Sequence, residues 1–204
     1  VVDPVDLATT VRALGEWLAT FHEPVPLLGY SQGGRMALLA ALEYPILVDR
    51  LILVSASPGI RGEQQRAERR ARDEALARRI EAVGIDVFLD EWLVGPITGT
   101  GHLDEVVRRR DRLVRKDNTA TGLAAALRGI GQGSQPYVGD RVGTITMPLL
   151  TVSGRNDTHY DRLAGAMASA APDGIHRSIG NAGHNVPLDA PDEMASVVLE
   201  FLDA

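Results

Sequence analysis

The sequence predicts an α/β fold, a parallel sheet covered by helices, with an all-helical segment set into the middle of the chain. Three observations carry this. Residues 25–30, 31–43 and 51–55 read as strand, helix and strand joined by short connections, the βαβ unit that builds parallel sheets. Residues 61–130 contain no strand-like run and are rich in Ala and Arg. Alternating strand and helix patterns then resume near Pro148.

Each element follows from local pattern. Leu7, Val11, Leu14, Leu18 and Phe21 recur at helical spacing and predict an amphipathic helix over 5–21. Residues 25–30 form a short apolar run, as a buried strand does. Met36, Leu38, Leu39, Ala41 and Leu42 mark a helix over 31–43. Tyr44-Pro45 ends it, because the residue before a proline is pushed out of the helical region. Residues 51–55 are a second buried strand, stopped by Pro58-Gly59. In the middle segment, candidate helices cover 85–94, 103–114 and 120–127, with breaks at Gly84, Gly95-Pro96 and Gly99-Thr100-Gly101. A third buried strand covers 148–153, a helix 161–171 and a short fourth strand 176–179. Pro191 suits the first turn of the last helix, with Asp192 and Glu193 beside it. Met194, Val197, Val198, Phe201 and Leu202 supply its buried face. The chain therefore divides into 1–60 and 137–204, two parts of one core, and 61–136, a helical insertion read as a lid.

Composition narrows the function. The chain has 204 residues, 45% of them apolar, which suits one globular domain with a sizeable core. No apolar run reaches the roughly 18 residues needed to span a bilayer. The start, Val1-Val2-Asp3-Pro4, has no basic segment leading into an apolar one, so no signal peptide is expected, and the missing Met points to a processed or cut N-terminus. The absence of cysteine excludes disulfides, thiolate metal sites and Cys nucleophiles, and fits a cytoplasmic location. A net charge of −6 argues against bulk nucleic-acid binding, and no membrane partner is expected. Residues 61–128 differ from the rest, with 14 Arg and Lys against 12 Asp and Glu. A solvated helix face accounts for this, and so does a pocket for a carboxylate-rich substrate, since Arg binds carboxylates bidentately. No His and carboxylate cluster has metal-ligand spacing. Gly129-Ile130-Gly131-Gln132-Gly133 follows a helix rather than a strand, so it reads as a turn. No metal or cofactor is expected.

Gly29-Tyr30-Ser31-Gln32-Gly33 is G-x-S-x-G at a predicted strand-to-helix junction, the context of a nucleophile elbow. The sharp turn strains the serine backbone and lifts its hydroxyl clear of the sheet. The flanking glycines are expected because a Cβ there would strike the neighbouring strand and helix. The backbone N–H of Gln32, at the helix N-terminus, suits a developing oxyanion. A hydroxyl needs an imidazole to become reactive. In the elbow-bearing α/β-hydrolase fold the order is Ser, acid, His. His184 lies in the loop after the last predicted strand, on the same rim of a parallel sheet as the elbow. His159 is its competitor. His22 and His102 suit the surface and the insertion, and His176 suits a half-buried structural role in a strand. Asp157 follows the third strand and suits the orienting acid, or simply the N-cap of the next helix. Asp161 is the alternative acid.

Gly29-Tyr30-Ser31-Gln32-Gly33-Gly34-Arg35, followed by Leu51-Ile52-Leu53-Val54-Ser55-Ala56-Ser57-Pro58-Gly59, resembles the 2-succinyl-6-hydroxy-2,4-cyclohexadiene-1-carboxylate synthases of menaquinone biosynthesis. Glu68-Arg69-Arg70, Leu89-Asp90-Glu91-Trp92, Arg115-Lys116-Asp117-Asn118, Gly122-Leu123-Ala124 and Gly131-Gln132-Gly133-Ser134-Gln135-Pro136 look like the lid motifs of that family. The resemblance covers roughly residues 20–204. It implies an α/β-hydrolase fold, a parallel sheet flanked by helices with a helical lid insertion. It also implies a carbon–oxygen lyase that removes pyruvate from a polyanionic cyclohexene. Ser31, Asp157 and His184 would then act as a general base rather than through an acyl-enzyme. Tyr30, Arg35, Arg69, Trp92 and Arg115 would contact the substrate. Against the family pattern, the N-terminal strands and their oxyanion loop are missing, so a fragment of a longer chain is expected. The strand at 25–30 would have an unpaired edge, although its composition is that of a central strand. For each Arg a solvated surface role stays open, and for Trp92 a core role. A serine hydrolase working through an acyl-enzyme is the alternative activity, and a non-catalytic binding protein a third.

Overall fold

Among the described residues, four strands form one parallel sheet in the order β1 (Val25–Tyr30), β2 (Val48–Val54), β3 (Leu149–Gly154) and β4 (Gly174–Ile179). The computed structural model describes residues 5–95 and 100–204. The Val1-Val2-Asp3-Pro4 start and the breaks expected at Pro96 and Gly99 lie outside the described residues. The helices are α1 (Leu7–Leu18), α2 (Gln32–Glu43), α3 (Glu63–Trp92), α4 (Glu105–Lys116), α5 (Ala120–Ile130), α6 (Thr158–Ala170), α7 (Val186–Asp189) and α8 (Pro191–Asp203). Two compact units result, one of residues up to Leu7 with Ile60–Gln135, the other of Ala8–Gly59 with Pro136–Ala204.

The sheet belongs to the second unit. Residues 51–54 of β2 and the whole of β3 are buried on both faces, because helices cover the two sides of the sheet. Ile52, Val54, Leu150 and Val152 meet Phe201, Met194, Val197, Val198 and Leu202 of α8. On the other face, α2 lies against β1 and β2, and α6 against β3 and β4. Cutting a side chain such as Leu150 back to Ala would cost about 2–5 kcal/mol in so closed a core. Among the described residues, β1 stands at one end of the sheet. Pro26, which has no N–H to give, sits where the register with β2 slips between Val25 and Leu27. Leu27 is buried, while Leu28 on the opposite face is 43% exposed.

Caps explain where several helices differ from expectation. α6 begins at Thr158 rather than 161, because Asp157 caps it by accepting from Tyr160 N–H. Asp104 and Thr119 accept from Val106 N–H and Gly122 N–H and so fix the starts of α4 and α5. β2 starts at Val48, three residues early, since Val48 pairs with Val25 although Asp49 and Arg50 obscure the apolar pattern.

The helical unit has its own core. Ile80, Phe88 and Leu89 of α3 pack with Leu123 and Leu127 of α5. Gly84 breaks α3 with φ 77° and ψ 172°, a region open to glycine almost alone. Much of the cationic surplus is paired inside the unit. Arg112 reaches Asp90 at 2.9 Å, Lys116 reaches Asp86 at 2.9 Å, and Arg128 bridges Glu74 and Glu81. Hydrogen bonds from Arg128 and then Arg78 pull the Glu74 carboxyl down to about 2. No described helix is long and apolar enough to cross a membrane.

Candidate active site

Three loops at the carboxyl ends of the strands bring the site together, as expected where a parallel sheet presents its rim. Ser31 joins β1 to α2. Its N–H donates to Val54 O at 2.8 Å, and its carbonyl accepts the Arg35 N–H at 3.1 Å. These two bonds hold the serine in the elbow at φ 49° and ψ −110°, a conformation that L-residues seldom adopt. The close crossing of strand and helix requires glycine at two places. A Cβ on Gly29 would stand 2.5 Å from Gly33 O, and one on Gly34 would stand 2.7 Å from the Ala56 Cβ. The expectation for Gly33 is corrected. A Cβ there meets nothing within 4 Å, because Gly33 points away from both neighbours.

His184 follows β4 and is 8% exposed. Its Nε2 lies 3.0 Å from Ser31 Oγ, and its Nδ1 lies 2.7 Å from Asp157 Oδ2. A carboxylate only accepts, so Nδ1 bears the proton and Nε2 is left free to accept from the serine hydroxyl. Asp157 keeps its other oxygen, Oδ1, on Tyr160 N–H at 3.2 Å. The two readings of this residue, orienting acid and N-cap, therefore hold together, one oxygen each. Backbone bonds tie the acid loop to the histidine loop, from Arg155 N–H to Ile179 O at 2.9 Å and from Asn156 N–H to Ala182 O at 3.0 Å. Gly154 permits this approach, since a Cβ there would stand 2.1 Å from Gly183 O.

Aromatic rings frame the imidazole. Tyr160 stands edge-on at 4.5 Å between centroids, and Tyr30 is tilted at 5.8 Å. Sequence reasoning missed Tyr160. Its place one turn into a helix capped by Asp157 was the available signal. Gln32 is the first residue of α2, which puts its N–H at the positive end of the helix. Arg35, one turn beyond Ser31, is 7% exposed.

The remaining candidates lie in the helical unit, each with a partner there. Arg69 Nε binds Asp73 Oδ1 at 2.8 Å, and its Nη1 binds Gln132 Oε1. Arg115 Nε binds Asp111 Oδ2 at 2.8 Å. Trp92 stacks obliquely on Phe88 at 5.4 Å. Of the other histidines, His22, His102 and His159 are exposed, and His159 stacks on Tyr160. His176 sits in β4 with Nε2 at 3.2 Å from Asp161 Oδ1, so Asp161, the alternative acid, serves a different imidazole from the one beside Ser31. Burial raises the Asp161 carboxyl, yet nearby Ser178, Ser153 and His176 outweigh it and hold the group below its ordinary range. The Ser178 hydroxyl lies close by without meeting hydrogen-bond geometry. Among the described residues, no cluster of three or more His, Asp or Glu is placed to hold a metal.

An elbow serine, a buried histidine and a loop carboxylate on a parallel sheet define a class of enzyme, and comparison with known families agrees. Residues 2–197 match the alpha/beta hydrolase family, and the chain belongs to it. Within that class it is 36% identical over 199 residues to a Bacillus subtilis protein provisionally named a 2-succinyl-6-hydroxy-2,4-cyclohexadiene-1-carboxylate synthase, covering 95% of this chain and 73% of that one. The Salmonella typhimurium synthase of the same name is 28% identical over 201 residues, 98% of this chain and 77% of its own. The solved structure of MenH from S. aureus superimposes with a TM-score of 0.94 at 30% identity, over all of this chain and 77% of that one. An Exiguobacterium antarcticum esterase shares the fold with a TM-score of 0.80 at 18% identity.

Proposed function

We propose that this chain is a carbon–oxygen lyase that eliminates pyruvate from 2-succinyl-5-enolpyruvyl-6-hydroxy-3-cyclohexene-1-carboxylate, giving 2-succinyl-6-hydroxy-2,4-cyclohexadiene-1-carboxylate in menaquinone biosynthesis. The observation that carries it is the Ser31–His184–Asp157 relay, with contacts of 3.0 and 2.7 Å, in a chain so similar to proteins bearing that synthase name. Asp157 orients the ring and stabilises the imidazolium as it forms. His184, through Ser31 Oγ, takes a proton from a ring carbon. The freed electron pair becomes the 2,3 double bond, the 3,4 double bond of the ring shifts to 4,5, and the carbon–oxygen bond to the enolpyruvyl group at C5 breaks. The departing enolate takes up a proton and leaves as pyruvate, so atoms balance without a cofactor. The Gln32 N–H faces negative charge that develops on oxygen.

The substrate carries several carboxylates, and Arg is suited to them. Arg35, on the first turn after Ser31, is assigned to one, with Tyr30 beside the imidazole. Arg69, Trp92 and Arg115 are assigned to the substrate on the resemblance alone. A cytoplasmic site of action fits a small-molecule substrate of this kind.

The same triad would also activate a serine for acyl transfer, and the Ser31 to His184 contact favours that serine hydrolase reading equally. A coupled pyruvate assay with the cyclohexene substrate, run beside an activated ester, separates the two. Steady pyruvate release without an acyl burst is expected. A stoichiometric burst on the ester with no pyruvate would assign the chain to the hydrolases instead.

A further inference from the structure

Beneath the first turn of α6 lies a polar band on an otherwise apolar sheet. Thr151 is paired with His176, and Ser153 with Ser178, across β3 and β4. Both Thr151 and Ser153 are fully buried. Thr151 Oγ1 lies 3.0 Å from Ala164 O and 3.1 Å from His176 Nδ1, which also stands 3.3 Å from Thr151 O. On the far side of the ring, Nε2 lies 3.2 Å from Asp161 Oδ1, which already accepts the Ser153 hydroxyl at 2.7 Å. An ionised carboxylate only accepts, so Nε2 bears a proton and donates it to Asp161. Asp161 is the charged side chain that α6 presents to it. Arg177 on its own strand is exposed and bonds back to the His176 carbonyl.

Asp161 matters because of where its bonds lead. Ser153 lies at the end of β3 before the loop 155–157, and Asp161 follows that loop in α6. Their 2.7 Å contact closes that loop, and the Asp161 N–H also donates to Asp157 O at 2.9 Å. We propose that Asp161 and His176 are positioning residues: a hydrogen-bonded carboxylate–imidazole pair that pins the loop carrying Asp157 and so keeps the acid aimed at His184. This rests on the triad reading given above, and it gives a role to two residues that touch neither Ser31 nor His184.

Labelling of Ser31 by a fluorophosphonate tests it, because the rate reports the triad whichever reaction follows. Asp161→Asn and His176→Gln are expected to label about 10–100-fold more slowly than the native chain, the loss seen when the outer partners of metal-binding side chains are removed. Pyruvate-release kcat should fall by the same factor with KM unchanged, since neither residue meets substrate. Imidazole ¹⁵N NMR of the native chain should show a hydrogen-bonded proton on His176 Nε2, and Asp161→Ala should shift that resonance. Native labelling with Asp161→Asn equally fast would overturn the positioning role and leave the triad standing. A native His176 with no proton on Nε2 would overturn the pair whether or not the variants fold. A native chain whose Ser31 does not label at all would overturn the triad reading itself, and the positioning role with it.

Discussion

Asp157 shows how much one side chain holds. Its Oδ2 accepts from His184 and its Oδ1 from Tyr160 N–H, so substitution separates two effects that Ala alone would confuse. Asparagine caps helices as well as aspartate does, yet it cannot orient the imidazole as an ionised carboxylate does. Asp157→Asn should therefore leave stability nearly unchanged and cut turnover by about 10³–10⁴-fold. Asp157→Ala should lose the activity and also about 1 kcal/mol of stability. Thermal melts beside pyruvate kinetics check both. The glycines of the elbow give a second comparison. Gly34→Ala should be strongly destabilising, since its Cβ would meet Ala56 at 2.7 Å, whereas Gly33→Ala should be neutral or stabilise by up to about 1 kcal/mol, because nothing lies in its way and alanine favours helix. Chemical denaturation of the two variants distinguishes them. The sequence pattern made Ser31, Asp157 and His184 legible, because motif, order and strand ends all point to them. It could not tell Gly33 from Gly34, since which glycine faces the strand depends on the crossing of β1 and α2. Nor could it show that Arg69 and Arg115 are engaged by Asp73 and Asp111, because a charge pattern does not say which neighbour a long side chain reaches.

At the scale of elements, the strands were legible from apolar runs, and β1 falls on the expected residues. Boundaries set by capping were less so. The start of α6 moved because Asp157 joins the helix by a side-chain bond that no apolar periodicity reveals. The break at Gly84 is where glycine and backbone agree. Gly84→Ala should destabilise the helical unit by about 1–3 kcal/mol, although open space surrounds the site, because φ 77° with ψ 172° excludes a Cβ on conformational grounds. A melt of the variant against the native chain tests this. The same unit should be acid-sensitive. Arg128 and Arg78 hold Glu74 at about 2 against an ordinary 4.5, so its pairing stabilises the unit above pH 4.5 and is lost as pH falls toward 2. The group is exposed, so added salt should shrink the effect. Denaturation midpoints measured from pH 5 to pH 2 at low and high salt should show a decline that Glu74→Gln flattens. A midpoint that does not change with pH in the native chain would contradict it.

The molecule as a whole holds two separately packed units, and the sheet lies in the second. β1, β3 and β4 each end at the same rim and deliver Ser31, Asp157 and His184 from loops whose backbones are tied to their neighbours. Residues 153 positions apart, Ser31 and His184, meet for that reason alone. The parallel topology was readable from the βαβ pattern. The end position of β1 among the described strands was expected as well, although its composition is that of a central strand. The lyase assignment makes a direct demand on this arrangement: the proton abstraction that releases pyruvate must run through Ser31 and His184. Pyruvate release from the cyclohexene substrate, followed for the native chain and for Ser31→Ala and His184→Ala, is the measurement closest to that demand. Native release, with each variant slower by about 10³-fold or more and still folded, is predicted. Undiminished release in both folded variants would contradict it.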